Sequence, residues 1–444
     1  MQIKDFIEKV CYEIKYKPIQ NEITEELKNH MEEIKQEQIK KGIEENKAED
    51  IAVKQMGEPI EIGKKLNKIH KPRVDWSLIL LVISLISFGI LVSFIKTQTI
   101  LTDGNEINYL IKTIIYLGIG ILLGIGIYFF DYRKIKKYSN YIYAFATIIT
   151  ILGLTVMCGY INGKAYLQIF NITISIESIV VPLYIIAFAG FINKYDKNNT
   201  FEFCEIIINK DFIKIFTLSI ISVLLLMYIP SLSSCIILSL IYIILTTIGI
   251  IKKSEKKKKY LIILYSIITV LVIICIFKIF IQYPYIQNRI TAYIYPEKDV
   301  YGSGWLPLQQ RLILNSAKPI GEAEDLSNVL DIFDEGTDYA LVSIIAHYGI
   351  IPAIAIISLI LIFSTKILYN SKIIKDNYGK FIIIGLGGYF IIESLINILM
   401  NLTIGIQISS KIPFVSYGGL SLVVDIVCIA LILAIYRRKD IIRY

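Results

Sequence analysis

The chain has 444 residues, 55% of them hydrophobic and 19% charged, with a mean hydropathy of +0.60. A water-soluble domain of this size carries roughly a quarter charged residues, so a soluble enzyme is excluded first. Residues 1–74 hold 15 Lys/Arg against 15 Asp/Glu, so the net charge of +8 belongs to the apolar remainder, where basic residues mark cytoplasmic loops and no nucleic-acid partner is expected.

The first residues, MQIKDFIEKVCYEIK, are charged throughout and lack the apolar core of a signal peptide, which predicts a cytoplasmic N-terminus. Residues 1–74 read as a small cytoplasmic helical domain. Ile23, Leu27, Met31 and Ile34 recur at helical spacing after the cap candidate Asn21, and Gly42, Gly57 and Pro59 separate further short helices. A solvated bundle without chemistry is the expectation there.

Residues 75–444 read as an all-α polytopic membrane domain. Apolar stretches long enough to cross a ~30 Å hydrocarbon core as helices recur to the end of the chain. Ten are expected, at 77–95, 110–130, 140–158, 176–193, 212–229, 233–251, 260–282, 339–364, 380–402 and 417–436. With both termini inside, the loops assigned to the cytoplasm carry 4, 4, 6, 4 and 4 Lys/Arg, and the short outer loops none or one each. That asymmetry is what the positive-inside rule requires. The six cysteines, Cys11, Cys158, Cys204, Cys235, Cys275 and Cys428, form no CxxC pair and read as small core residues.

Two features break the apolar pattern. Residues 283–337 form a long outer segment rich in Gly, Pro, Gln and acids, and long connections of this kind are usually functional. Glu393, Asn397 and Asn401 follow one another at i, i+4, i+8, which places a carboxylate and two amides on one helix face. In lipid such a stripe either lines a cavity or holds helices together. Glu177 and Asp425 are further membrane-embedded acids with the same two readings.

The stretch IPFVSYGGLSL at 412–422 resembles a signature of the SEDS family, the polytopic proteins of RodA, FtsW and SpoVE type. Four more segments are similar to that family in the same order. YIQNRITAYIYP spans 285–296, DVYGSGWLPLQQRLILNSAKPIG spans 299–321, TDYALVSIIAHYGIIP spans 337–352 and NILMNL spans 397–402. The second of these keeps Asp299, Gly302, Gly304, Gln309, Ser316 and Gly321 of the family pattern. The segment EITEELKNH and its continuation to Leu66 resemble the permease-prefix type of domain, which implies regulation or partner docking.

The SEDS resemblance implies a peptidoglycan glycosyltransferase that polymerises lipid II beside a class B penicillin-binding protein, within membrane lipids. It implies Asp338 as the catalytic acid position, expected at the N-terminus of its helix, where backbone donors and the helix dipole would hold it. Arg289 and Arg311 suit a pyrophosphate by guanidinium geometry, or pair with the acids of their own loop. Gln309, Lys164, Glu177, Glu393, Asn397, Asn401, Ser416, Tyr417 and Gly418 are the other substrate-binding candidates. Ser416, Tyr417 and Gly418 read as a cavity wall or as a structural turn. The cofactor is open: the acids Glu322, Glu324, Asp325, Asp331, Asp334 and Glu335 suit a divalent cation, Mg or Mn, or a solvated acidic loop.

Departures from the family pattern fall at charged positions. Lys164 and Ala165 replace an Arg-Trp pair, Val180 a lysine, Ser231 an acid, and Ala346-His347 a pair of glutamates. Lys164 is the visible replacement for lost positive charge. Two alternatives to catalysis therefore stand: a lipid-linked precursor transporter, which the lack of internal sequence symmetry disfavours, and a non-catalytic scaffold for the transpeptidase.

Overall fold

The computed structural model describes residues 2–69, 71–101, 108–155, 158–161, 164–169, 172–198, 210–228, 231–251, 284–323, 337–405 and 407–440. They fall into two units, residues 1–75 with 435–444, and residues 76–434.

The first unit holds helices α1 (Ile3–Glu13), α2 (Gln20–Lys40), α3 (Glu45–Met56) and α4 (Pro59–Ile69). The apolar stripe of α2 is buried as its spacing requires: Ile23, Leu27 and Met31 pack with Phe6, Val10 and Ile14 of the first helix and its exit. Asn21 is not the cap of α2. The helix starts one residue earlier, because Gln20 turns inward and donates its amide to the carbonyls of Cys11 at 2.9 Å and Ile14 at 2.8 Å. Those carbonyls are among the acceptors that the end of α1 leaves without a helical partner.

The second unit contains α5 (Trp76–Leu101), α6 (Tyr109–Phe129), α7 (Ser139–Thr155), α8 (Ile176–Asn198), α9 (Lys210–Tyr228) and α10 (Leu232–Ile251). After these come α11 (Pro284–Ile294), α12 (Trp305–Ser316), α13 (Ala340–Tyr348), α14 (Ile350–Ile373), α15 (Asn377–Asn401) and α16 (Leu420–Arg437). The last residues of α16, from Ile435, group with the first unit. Among the described residues seven helices are long and apolar enough to cross a membrane: α5, α6, α8, α10, α14, α15 and α16. The chain is a multi-pass membrane protein. The shorter α7 and α9 coincide with expected spans, and the expected span 260–282 lies outside the described residues.

Three sequence expectations change. The helical architecture carries one addition, an antiparallel sheet of β1 (Cys158–Ile161), β2 (Lys164–Ile169) and β3 (Ile172–Ser175), in which Tyr160 pairs with Ala165 and Leu167 with Ile174. It follows α7, which stops at Thr155 and does not run to 158. The segment 283–337, expected as one long outer connection, contains α11 and α12.

The expected single helix 339–364 is two helices broken at Gly349, whose φ is +94°. The reason is a second strand of backbone that crosses there. The Ile350 and Ile351 amides donate to the carbonyls of Lys318 (3.0 Å) and Pro319 (3.1 Å), and the Gly321 amide donates to the Tyr348 carbonyl (3.1 Å). A Cβ on Gly349 would stand 2.7 Å from the Lys318 carbonyl oxygen, so only glycine admits this approach. The break ties the outer segment to the base of α14.

Candidate active site

Asp338 is half-buried, two residues ahead of α13, and Tyr339 occupies the N-cap. It is therefore not the first residue of its helix, and what holds it comes from elsewhere in the chain. Its main-chain carbonyl accepts the side-chain amides of Asn397 at 2.8 Å and Asn401 at 2.9 Å, both from α15. Its carboxylate accepts the Ser409 hydroxyl.

The polar stripe on α15 thus has an identified use. Asn397 and Asn401 are fully buried, and each bonds more than one partner. Asn397 also donates to the Ser410 carbonyl at 2.6 Å, while Asn401 donates to Asn397 Oδ1 at 2.9 Å and accepts the Val342 amide at 3.1 Å. Two buried amides with several bonds each meet the demand that a membrane interior places on polar groups. Glu393, one turn further along the same face, is buried and lies within electrostatic reach of Lys411. It belongs to a deeper cluster than Asp338.

The segment between α15 and α16 gathers the rest. The Gln407 carbonyl accepts Arg289 Nη1 at 2.6 Å. The Gln407 side chain accepts the Tyr339 hydroxyl and donates to Gln310 Oε1. Arg289 of α11, Gln310 of α12, Tyr339 beside Asp338, and Ser409 consequently converge on one short stretch. Gln310, fully buried, makes this contact; Gln309, the residue singled out from the sequence, is half-buried and is not the one that reaches Gln407. Arg311 donates to the Tyr293 carbonyl at 3.2 Å, which fixes α12 against α11. Both arginines are thus anchored on main-chain oxygens. A guanidinium carries five donors, so such an anchor orients the group without defining all of its contacts.

Beyond this stretch, Lys411 forms a buried ion pair with Asp425 of α16, at 2.8 and 2.7 Å to the two carboxylate oxygens. Ser416 accepts the Ile412 amide at 2.9 Å, closing a turn. Ser416, Tyr417 and Gly418 line a small cavity with Ser93 of α5 and Thr113 of α6, so the wall and the turn are the same structure. Tyr417 stands edge-on to Tyr109, and the Lys96 ammonium lies 4.9 Å and 5.3 Å from the two ring centroids.

Glu177 is buried away from Asp338 at the start of α8. Its carboxylate accepts the hydroxyls of Ser231 and Ser234 of the α10 entry, the latter at 3.0 Å. The loss of an acid at Ser231 therefore has a counterpart: a hydroxyl that donates to Glu177, where a second carboxylate would repel it. Val180 and Ala346 are fully buried apolar positions in this structure. Lys164 lies on β2, and its side chain is outside the described residues.

Between α11 and α12, Asp299 closes the turn before α12, accepting the Ser303 amide at 2.7 Å and the Ser303 hydroxyl at 3.0 Å. Those bonds, the backbone amide first, hold its carboxyl below the ordinary carboxylate range. Of the acids considered as cation ligands, only Glu322 is among the described residues, where it is exposed. Among the described residues no trio of His, Cys, Asp or Glu converges to hold a metal, and no step below is routed through one.

Gln310, Gln407, Ser409 and Lys411 were absent from the sequence candidates. Lys411 had a legible signal, a lone cation within an apolar stretch fourteen residues before the intramembrane Asp425. The others are neutral residues that only folding brings together.

Comparison with known proteins identifies the family. Residues 75–441 match the family model described as cell cycle protein, for FtsW, RodA and SpoVE. A probable peptidoglycan glycosyltransferase FtsW of Coxiella burnetii is 24% identical over 388 residues, covering 83% of this chain and 99% of that protein. The corresponding protein of Idiomarina loihiensis is 22% identical over 382 residues, covering 84% and 89%. Among solved structures, a chain of a peptidoglycan synthase complex, described as coordinating polymerization and crosslinking, superposes with a TM-score of 0.64 at 17% identity, covering 82% of this chain and 98% of that one. The rod shape determining protein RodA of Thermus thermophilus gives 0.54 at 13% identity, covering 82% and 97%. At these identities the structural likeness speaks for the fold.

Proposed function

The chain belongs to the SEDS family of FtsW, RodA and SpoVE proteins, and on that premise we propose that it is a peptidoglycan glycosyltransferase that polymerises lipid II, with Asp338 as general base. The observation that carries the reading is the seating of Asp338. Asn397 and Asn401 of α15 hold its main-chain carbonyl, and its carboxylate accepts the hydroxyl of Ser409, two residues beyond Gln407, which is itself bonded to α11 and α12.

Glycosyl transfer from a pyrophosphate-linked sugar needs a base for the acceptor hydroxyl and positive charge for the departing pyrophosphate. Asp338 takes the proton. The Ser409 hydroxyl orients the carboxylate. Arg289, anchored one bond away on Gln407, is the candidate for the pyrophosphate, because a guanidinium matches phosphate oxygens in pairs. Arg311 supports it by locking α12 to α11.

We place ten spans across the membrane, with both termini cytoplasmic and residues 283–337 with Asp338 on the outer face. A crosslinking transpeptidase of the class B penicillin-binding type is the proposed partner, and the likeness to a chain of a synthase complex supports this. The 1–74 domain is proposed as a regulatory module. The transporter and scaffold readings lack a comparable observation. The deciding experiment measures glycan polymer made from labelled lipid II by the purified full chain and by Asp338→Asn. Polymer from the wild type alone supports the assignment; equal polymer from both would remove the base from Asp338.

A further inference from the structure

The segment of residues 402–419 carries Ser409, which bonds Asp338, and Gln407, which bonds Arg289, Tyr339 and Gln310, and its described residues form no helix of their own. Its conformation is set by bonds to its surroundings. Upstream, Thr403 and Ile404 donate to carbonyls at the end of α15. Downstream, Phe414 adopts a left-handed φ of +67° and packs between Phe363 and Phe390. Between these ends, one charged group ties the segment to α16: Lys411, with both oxygens of Asp425 within 2.8 Å.

The titratable groups within electrostatic reach of Lys411 are Asp425 and Cys428 on α16 and Glu393 on α15. Of these, Asp425 alone makes the two-oxygen contact. Remove its charge and the ammonium keeps only the more distant Glu393. A buried ammonium without its close counter-ion is strongly unfavourable, so the segment must shift to hydrate it. Ser409 lies two residues from Lys411 and moves with it.

We infer that Asp425 is a positioning residue for the Asp338 site: by clamping Lys411 it fixes the segment that presents the Ser409 hydroxyl to Asp338 and Gln407 to Arg289 and Tyr339. This rests on Asp338 being the base, since only then does the placement of Ser409 govern the rate. Displacement of a reacting group by an ångström lowers a rate by roughly 100-fold.

The test uses the purified full chain with lipid II as probe. Asp425→Asn should lower kcat by up to about tenfold, the loss expected when the Ser409 bond is removed outright, with KM changed less than about threefold. In a Ser409→Ala background the same change should add no more than about twofold, because both act through one hydrogen bond. Lys411→Met with Asp425→Leu removes both charges together. It should recover the wild-type melting temperature, as replaced buried pairs commonly do, and keep the low kcat, since the directional clamp is gone. Amide exchange across 407–411 should rise at least tenfold in Asp425→Asn, a readout that needs no activity.

Wild-type kcat in the double apolar variant, a full independent loss in the Ser409→Ala background, or unchanged exchange at 407–411 would each overturn the inference. Failure of the base assignment looks different. If Asp338→Asn still polymerises, the reading of Asp338 falls whatever Asp425 does. If Asp338→Asn is dead while Asp425→Asn is fully active, only the clamp is lost.

Discussion

Ser234 donates its hydroxyl to the Glu177 carboxylate at 3.0 Å, across the interface of α8 and α10. Ser231 donates to the same oxygen, and its hydroxyl lies 2.9 Å from that of Ser234, so the three side chains form one buried group. Hydrogen bonds to a charged group contribute about 1.5–3 kcal/mol each. Ser231→Ala is therefore expected to lower the melting temperature in detergent, and Ser231→Ala with Ser234→Ala to lower it further. Ser231→Asp should be worse than either, because it sets a second carboxylate against Glu177. A thermal scan of the three variants checks the order, and an Asp variant as stable as wild type would contradict it.

Asp338→Asn is expected to fold normally, because Asn397 and Asn401 hold the Asp338 main-chain carbonyl, which the substitution leaves in place. Loss of a general base removes roughly 10²- to 10⁴-fold in rate. Ser409→Ala keeps the base and loses its orienting bond, for which a decrease of about tenfold in kcat is expected. Polymer yield from labelled lipid II, read beside the melting temperature, separates the two effects from misfolding.

Gly89 on α5 tests how tightly the 412–416 turn is seated. A Cβ there would stand 2.2 Å from the Phe414 carbonyl oxygen, which is backbone and cannot swing aside. Alanine normally gains up to about 1 kcal/mol over glycine inside a helix. Here overpacking, about 1–3 kcal/mol, opposes and exceeds that gain. Gly89→Ala should lower the melting temperature, and Gly118→Ala on α6, where nothing lies within 4 Å, should not.

The Asp299 turn provides a pH dependence outside the membrane. Its folded carboxyl titrates below the ordinary value of the unfolded chain. The bonds to Ser303 thus stabilise the turn fully above the ordinary carboxylate range, and that contribution disappears as pH falls through the depressed folded value. Amide exchange at 302–304, corrected for the intrinsic pH dependence, should lose protection on acidification in the wild type. Asp299→Asn should show no such step.

Topology is checked by cysteine labelling. Ser303 sits in the exposed turn of the outer segment, and Ser254 within the KKSEKKKK loop. An impermeant reagent on intact cells should label Ser303→Cys and spare Ser254→Cys. Equal labelling of both would refute the proposed ten-span arrangement.

Much of this protein is legible in one dimension because membrane insertion is a one-dimensional problem. Hydropathy over about twenty residues places a helix, and the spans around α5, α6, α8, α10, α14, α15 and α16 follow from it. The i, i+4, i+8 stripe of Glu393, Asn397 and Asn401 announced a polar helix face, since helical period alone puts these residues together. Asp338 was found by its motif.

What the stripe bonds to is not encoded at short range. Asn397 and Asn401 meet Asp338 across about sixty residues, and Gln310 meets Gln407 across 97. Neutral side chains such as Gln407 and Ser409 carry no periodic or charge signal, so no pattern marks them before the chain folds. The break at Gly349 was hidden likewise, because the apolar run continues through it and only the crossing backbone of Lys318 and Pro319 requires it. Local periodicity determined the helices and the face each one turns inward. The tertiary structure alone decided which loop would complete the site, because buried polar groups must find partners wherever packing brings them.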